Sequence, residues 1–172
     1  WSNLGYLIDK GVITKDDSLF FIGLLQSSDW DVRQDAWSNL KLLVEKGVIT
    51  KDDSKSFLGL LQFTAPDYRS DKEQQVTQDV RRRAWSNLGY LIDKGIITRD
   101  DSKSFLELLQ SSNEYVRQKA WSNLGYLIDK GVITKDDSLF FIGLLQSSDW
   151  DVRQDAWSNL KLLVEKGVIT KD

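Results

Sequence analysis

Two patterns of apolar residues alternate along the chain, and both have the spacing of an α-helix. The first is a stripe formed by Phe21, Ile22, Leu24 and Leu25. The second has the spacing i, i+4, i+8, i+11 and i+12, through Val32, Ala36, Leu40, Leu43 and Val44. Because each pattern lines one face of a helix, the sequence predicts pairs of helices that each bury one side.

Capping residues mark where these helices begin and end. A Thr followed three residues later by Asp predicts the start of each first helix, at Thr14, Thr50, Thr98 and Thr134. The second helix is predicted to begin near Ser28, with Asp31 in its first turn. A glycine in the left-handed conformation is expected after the second helix, at Gly11, Gly47, Gly95 and Gly131. We expect the apolar pair that follows, Val12 and Ile13, to lie in the core.

The helix pair is a repeat. The string Trp-Ser-Asn-Leu begins at Trp1, Trp37, Trp85, Trp121 and Trp157, with spacings of 36, 48, 36 and 36 residues. One repeat therefore carries a 12-residue insertion, at about 63–74. Residues 1–52 recur unchanged as residues 121–172. Such identity indicates a recent duplication, an engineered or consensus-like array, or a window on a longer array, and the positions of the two ends favour the last two.

The insertion has a helical signature of its own. Ser70 with Glu73 forms a capping-box pattern, so the insertion is predicted to be a short loop followed by about two extra helical turns. Arg81, Arg82 and Arg83 lie on this lengthened helix, and the last two are predicted to point outward. They could meet a phosphate or a carboxylate of a partner, or pair with Asp79 and neighbouring acids.

The second helices resemble a known family of helical repeats. The run from Val116 to Leu127, with its Val-Arg pair and small residues before Leu-Gly, resembles the second helix of HEAT repeats, including the phycobilisome-lyase type and the armadillo-like relatives. The resemblance implies a single all-α domain over residues 1–172, a right-handed α-solenoid of stacked antiparallel helix pairs. It also implies that the second helices line a concave face. A ladder to acids of the adjacent repeat would be formed by Arg33, Arg81, Arg117 and Arg153.

Two repeated side chains of the second helix are expected to be structural. The Trp lies beside Ala36 and Leu40 on the apolar face, so we expect it to be buried between repeats. The Asn two residues after each Trp is expected to form a hydrogen bond with the backbone of a neighbouring repeat or with the loop between repeats, because a buried amide needs a partner.

The composition argues against catalysis and against resident cofactors. The chain has no Cys and no His, which excludes disulfides, thiolate ligands and the usual general base. Asp pairs such as Asp16-Asp17 follow a capping Thr, where negative charge stabilises a helix start, so we expect no enzyme activity, cofactor or metal there. The longest apolar run, Leu19–Leu25, is too short to span a membrane, and the first residues do not show the pattern of a signal peptide. The sequence predicts a soluble chain and favours the cytoplasm over secretion, without identifying the compartment.

The outward positions of the second helices change from repeat to repeat, while the scaffold positions stay fixed. Aromatic residues and Arg, which are enriched in binding hot spots, occur at these changing positions. The candidate protein-binding residues are Trp30, Asp31, Gln34, Asp35, Gln78, Arg82, Arg83, Tyr90, Glu114, Tyr115, Lys119, Tyr126 and Trp150. Neutral variation on a solvated surface is the competing interpretation.

Three functions remain open from the sequence. The leading hypothesis is a non-enzymatic scaffold that binds a protein or peptide on the concave face. The first alternative is a structural element whose uncapped ends stack on further copies, into a filament or array. The second is nucleic-acid binding, but the net charge of -3 and the lack of a continuous basic stripe count against it.

Overall fold

A computed structural model of the chain describes residues 1–66 and 69–170, and its regular elements within these ranges are all helical. They form two compact units, Trp1–Ile97 and Thr98–Asp172, which are described separately below. The α-helices are α1 (Leu4–Asp9), α2 (Ser18–Leu24), α3 (Trp30–Ser38), α4 (Leu40–Glu45), α5 (Ser54–Leu61), α6 (Asp71–Ser86), α7 (Leu88–Asp93), α8 (Ser102–Leu108), α9 (Glu114–Ser122), α10 (Leu124–Asp129), α11 (Ser138–Leu145), α12 (Trp150–Ser158) and α13 (Leu160–Glu165). Helices that are adjacent in sequence pack together, as α2 with α3, α5 with α6, α8 with α9, and α11 with α12.

The predicted Thr caps are present at the start of each first helix. Thr14 Oγ1 accepts a hydrogen bond from Asp16 N at 3.2 Å, and Thr14 N donates to Asp17 Oδ2 at 2.9 Å. The same capping box recurs at Thr50, Thr98 and Thr134. Each box first closes one turn of 3₁₀ helix, over Lys15–Asp17, Lys51–Asp53, Arg99–Asp101 and Lys135–Asp137, and the α-helix follows directly.

The start of the second helix lies one residue later than predicted. Asp29, not Ser28, is the cap of α3: its Oδ1 accepts from Val32 N at 3.1 Å. Ser27 Oγ in turn accepts from Asp29 N, at 3.1 Å. Asp29 has the extended backbone conformation that a cap requires, with φ -78 and ψ 120, which the Ser-Ser turn before it sets up. Asn113 caps α9 in the same way.

Each second helix is divided at its Asn, a feature that the periodicity did not predict. Ser38 Oγ donates to Gln34 O, and Asn39 Nδ2 donates to Asp35 O, both at 2.8 Å. The bond that this Asn makes is therefore within its own helix and not, as expected, to a neighbouring repeat. Side chains that bond back to the carbonyl four residues earlier compete with the helical ladder, and α3 gives way to α4 at this residue. The Asn amide makes the same bond at Asn87, Asn123 and Asn159.

The repeated Trp joins the two helices of its repeat. Trp37 is buried, as predicted, and its Nε1 donates to Leu25 O at 2.8 Å. Leu25 lies at the C-terminal end of α2, where backbone carbonyls have no partner within the helix. Trp85 and Trp121 are likewise buried and donate to Leu61 O and Leu109 O. The Trp therefore fills the core with its ring and satisfies a helix end with its N–H.

The two identical segments have different environments. The expectation that Val12 lies in the core is wrong, since Val12 is 67% exposed, whereas the identical Val132 is 1% exposed. Trp157, identical to Trp37, donates to Leu145 O at 3.1 Å but stays 54% exposed, against 7% for Trp37. Because the sequences are the same, these differences come from the surrounding helices and not from local propensity.

The fold predicts that replacing a buried copy of the repeated Trp lowers the free energy of unfolding more than replacing an exposed copy. Trp37→Ala should lower the free energy of unfolding by about 3–5 kcal/mol, because it creates a buried cavity and frees Leu25 O. Trp157→Ala removes the same bond from an exposed ring and should cost about 1–2 kcal/mol. Urea denaturation measures both, with the exposed Trp30→Ala as a near-neutral reference. Equal losses at Trp37 and Trp30 would contradict the packing described here.

Candidate protein-binding surface

The structure places the predicted site residues on the second helices and on the short helices that continue them. Those in the first compact unit are on α3, α6 and α7, and those in the second are on α9, α10 and α12. Most are exposed, namely Trp30, Asp31, Asp35, Gln78, Arg82, Glu114, Tyr115 and Trp150. The others are half-buried: Gln34, Arg83, Tyr90, Lys119 and Tyr126. Trp30 and Trp150 are 59% and 63% exposed.

The Arg of each Val-Arg pair fixes the turn that precedes its own helix. Arg33 Nη1 donates to Ser27 O at 2.7 Å, and Arg117 and Arg153 make the same bond to Ser111 O and Ser147 O. Sequence reasoning missed this role. The constant six-residue distance between the first Ser of a Ser-Ser turn and the Arg was the signal that could have revealed it.

Two of these arginines also bond to the following second helix, as the resemblance to HEAT repeats implied. Arg33 Nε lies 2.7 Å from Asp79 Oδ2, and Arg117 Nε lies 3.0 Å from Asp155 Oδ2. The two acids occupy different positions, one helical turn apart when the repeats are aligned. The reason is that the position of Asp155 is taken in α6 by Arg83, so the carboxylate has to come from the preceding turn.

Arg81 bonds, within the first compact unit, to the segment that precedes α6. Its Nε donates to Phe63 O at 2.6 Å and its Nη2 to Thr64 Oγ1 at 3.0 Å, so it holds the start of the insertion. In the next second helix, the two positions that supply acids elsewhere are occupied by Tyr115 and Lys119, and neither is a carboxylate. The ladder contact expected of Arg81 stays a prediction.

Asp79 forms ion pairs with three guanidinium groups. Besides Arg33, it contacts Arg82 Nη2 at 2.5 Å and Arg83 Nε at 3.0 Å, and Arg83 also donates to Gln34 Oε1. Burial alone would raise the pKa of Asp79, but the hydrogen bonds from Arg33, Arg83 and Arg82 outweigh it and hold the pKa below its ordinary value. Of the two predictions for Arg82 and Arg83, pairing with Asp79 is therefore confirmed.

A cleft opens beside Trp30 because α6 is longer than α3. Aligned on the repeated Trp, α6 begins seven residues earlier than α3, and this extension confirms the two extra turns predicted for the insertion. Ser70 Oγ caps it by accepting from Glu73 N at 3.1 Å, while Asp67 and Tyr68 of the insertion lie outside the described residues. The cleft has a volume of about 380 Å³ and is lined by Ser28, Asp29, Trp30, Asp31, Arg33, Lys72, Gln75 and Val76.

The charges in this cleft are arranged on opposite walls. On the α3 side, Asp29 uses its Oδ1 to cap the helix and Asp31 is exposed beside the indole of Trp30. On the α6 side stands the exposed Lys72. Arg33 is neutralised by Asp79, so the α3 wall offers an aromatic face with free negative charge next to it.

The first helices carry an exposed apolar pair that sequence reasoning missed. Leu19 and Phe20 on α2, and Leu139 on α11, are largely exposed. The ring of Phe20 packs edge-on against the buried Phe21, with centroids 5.4 Å apart. In the intervening repeats the corresponding pairs are Lys55-Ser56 and Lys103-Ser104, so a comparison of aligned repeats could have found it.

Within residues 1–66 and 69–170, no group of three or more His, Cys, Asp or Glu side chains is arranged to hold a metal ion. Over the same part of the chain, every helix is too short or too polar to cross a membrane. Comparison with models of known protein families and with curated proteins found no match for this chain.

The contacts of Asp79 predict that replacing it costs more stability than replacing Asp31, the acid at the aligned position in α3. Asp79→Asn should lower the free energy of unfolding by about 2–3 kcal/mol, because it weakens charge-assisted bonds to the buried Arg33. Asp31→Asn changes the aligned, exposed acid and should cost less than about 0.5 kcal/mol. Urea melts at neutral pH provide the comparison, and equal effects of the two substitutions would contradict the assignment.

The lowered pKa of Asp79 also predicts a pH dependence. In the folded protein the ionised carboxylate is favoured, so its stabilisation is present above the ordinary Asp pKa of 3.8 and is lost as the pH falls through the lower folded value. The free energy of unfolding of the native chain should therefore fall more steeply below about pH 5 than that of Asp79→Asn. Parallel curves for the two proteins between about pH 7 and pH 2.5 would refute this.

Proposed function

We propose that this protein is a non-enzymatic helical-repeat scaffold that binds a protein or peptide partner along its second helices. The observation that supports it most is that structural positions are constant along the chain while exposed positions vary. Residues that join helices, such as Trp37 and Arg33, are repeated along the chain and buried. Aligned exposed positions differ from repeat to repeat, as at Trp30, Gln78 and Glu114.

The proposal includes the finer architecture of a HEAT-like, right-handed α-solenoid of antiparallel helix pairs. The packing of adjacent helices and the Arg33–Asp79 and Arg117–Asp155 bonds support it, since a helix pair that cannot bury both faces needs a neighbour on each side. In such a solenoid the second helices form the inner face, and a partner segment would run across successive α3-type helices.

The cleft beside Trp30 indicates the chemistry of the partner. An exposed indole next to Asp31, with Asp35 one turn further along, suits a basic side chain that stacks on the ring and pairs with a carboxylate. Arg82 and Arg83 contribute less free positive charge than their number implies, because both bond to Asp79. We therefore propose a partner segment with Arg or Lys at the Trp30 cleft.

A peptide-display selection against the folded chain tests the proposal. Enriched peptides should share a basic residue, and Trp30→Ala should weaken their binding by about thirtyfold, as expected for a central aromatic hot spot. Affinity should also fall as salt is raised, because part of the recognition is electrostatic. Isothermal titration calorimetry of synthetic peptides measures both effects.

Trp150 provides a matched control. It has the same flanking sequence and a similar exposure, but α12 is followed by no lengthened helix within the sequence. Trp150→Ala should change the affinity less than about threefold. Selected peptides that lack a common basic residue, or that bind Trp30→Ala as well as the native chain, would exclude the cleft as the binding site.

A further inference from the structure

A contact inside the first compact unit provides a template for contact between chains. Residues 40–49 and 88–97 are the ends of two successive second helices with the turns that follow them. Tyr90 Oη donates to Lys41 O at 3.4 Å, and Lys41 Nζ lies 5.2 Å from the centroid of the Tyr90 ring. A shared cleft between the two segments is lined by Val44, Glu45, Lys94 and Ile96, among others.

Each of the two segments in this contact has a copy elsewhere in the chain. Residues 160–169 are identical to 40–49, and residues 4–13 are identical to 88–97 except for Val12 in place of Ile96. Both copies are more exposed to solvent than the segments that they repeat. Val12 is 67% exposed while Ile96 is 5% exposed, and Tyr6 and Val164 are exposed where Tyr90 and Val44 are half-buried.

The charges on these two segments are complementary as well. In two contacts between successive second-helix ends, the acid of the preceding segment pairs with the Lys of the following one: Asp9 with Lys46 at 2.9 Å, and Asp129 with Lys166 at 2.7 Å. Glu165 and Lys10 occupy the corresponding positions on residues 160–169 and 4–13. Glu165 has only a weak contact to Lys161, at 3.8 Å, and both of these side chains are largely exposed.

We propose that residues 4–13 of a second copy of this chain bind residues 160–169 of the first copy. The contact would repeat two features of the internal template, with Lys161 over the ring of Tyr6 and Val12 against Val164. It would add a pair between Glu165 and Lys10, of the kind seen between Asp9 and Lys46. The contact is directional, since each chain contributes a different segment, and it can therefore propagate head to tail. It is independent of partner binding through the Trp30 cleft, which lies on the opposite ends of the second helices.

Charge reversal tests the pairing directly. Sedimentation equilibrium of the native chain from about 1 µM to 1 mM should show concentration-dependent association. Lys10→Glu and Glu165→Lys should each weaken it by about tenfold or more, because each creates a like-charge contact between copies. An equimolar mixture of the two variants should regain association, since both alternating contacts then join opposite charges.

Two exposed apolar residues supply the control. Val12→Asp lies in the proposed contact and should weaken association about tenfold or more, while Leu19→Asp changes a similarly exposed residue outside it and should leave association unchanged. Circular dichroism verifies that each variant is folded. A native chain that stays monomeric, single charge variants that still associate alone, or a mixture that does not recover would each overturn the proposal. Loss of association in Leu19→Asp with Val12→Asp unaffected would assign it to the apolar pair on α2 and overturn it equally.

Discussion

The structure depends on how the end of each first helix is satisfied. A helix that turns back towards its neighbour leaves carbonyl groups without partners, and a buried carbonyl without a donor is costly. Here the indole N–H of the second helix reaches Leu25 O, and the Arg of the same helix reaches Ser27 O. One helix thus supplies both donors that its partner lacks. The helix pair becomes a unit that can be repeated, and the remaining faces are free to bond to neighbours or stay exposed.

Much of this architecture could be predicted from the sequence, because it rests on local signals. The Thr caps, the left-handed glycine after each second helix and the lengthened α6 follow from residue type and spacing. The division of the second helix at Asn39 could not be predicted, since an uninterrupted apolar period gives no sign that side chains bond back to their own helix. The choice of Asp29 over Ser28 as cap was equally hidden, because both residues can serve.

The candidate surface was harder to predict, since it depends on which neighbours are present. The sequence left open whether Arg83 meets a partner or pairs with Asp79, and the meeting of α3 with α6 shows that Asp79 binds it together with Arg33. The cleft beside Trp30 likewise needs Lys72 and Gln75, which reach it because an insertion more than 30 residues away in sequence lengthens α6. The insertion thus contributes one wall of the cleft beside Trp30.

The exact duplication of residues 1–52 has a consequence for local opening of the fold. The same helix, with the same propensity and the same internal bonds, is covered on one side at Trp37 and open to solvent at Trp157. We therefore expect amide protons of α12 and α13 to exchange with solvent faster than their identical counterparts in α3 and α4. Each duplicated amide pair compares two environments at constant sequence, so hydrogen exchange on this chain would measure how much protection a neighbouring repeat confers on a helix. Equal exchange rates in the two copies would show that neighbouring repeats add little to local stability.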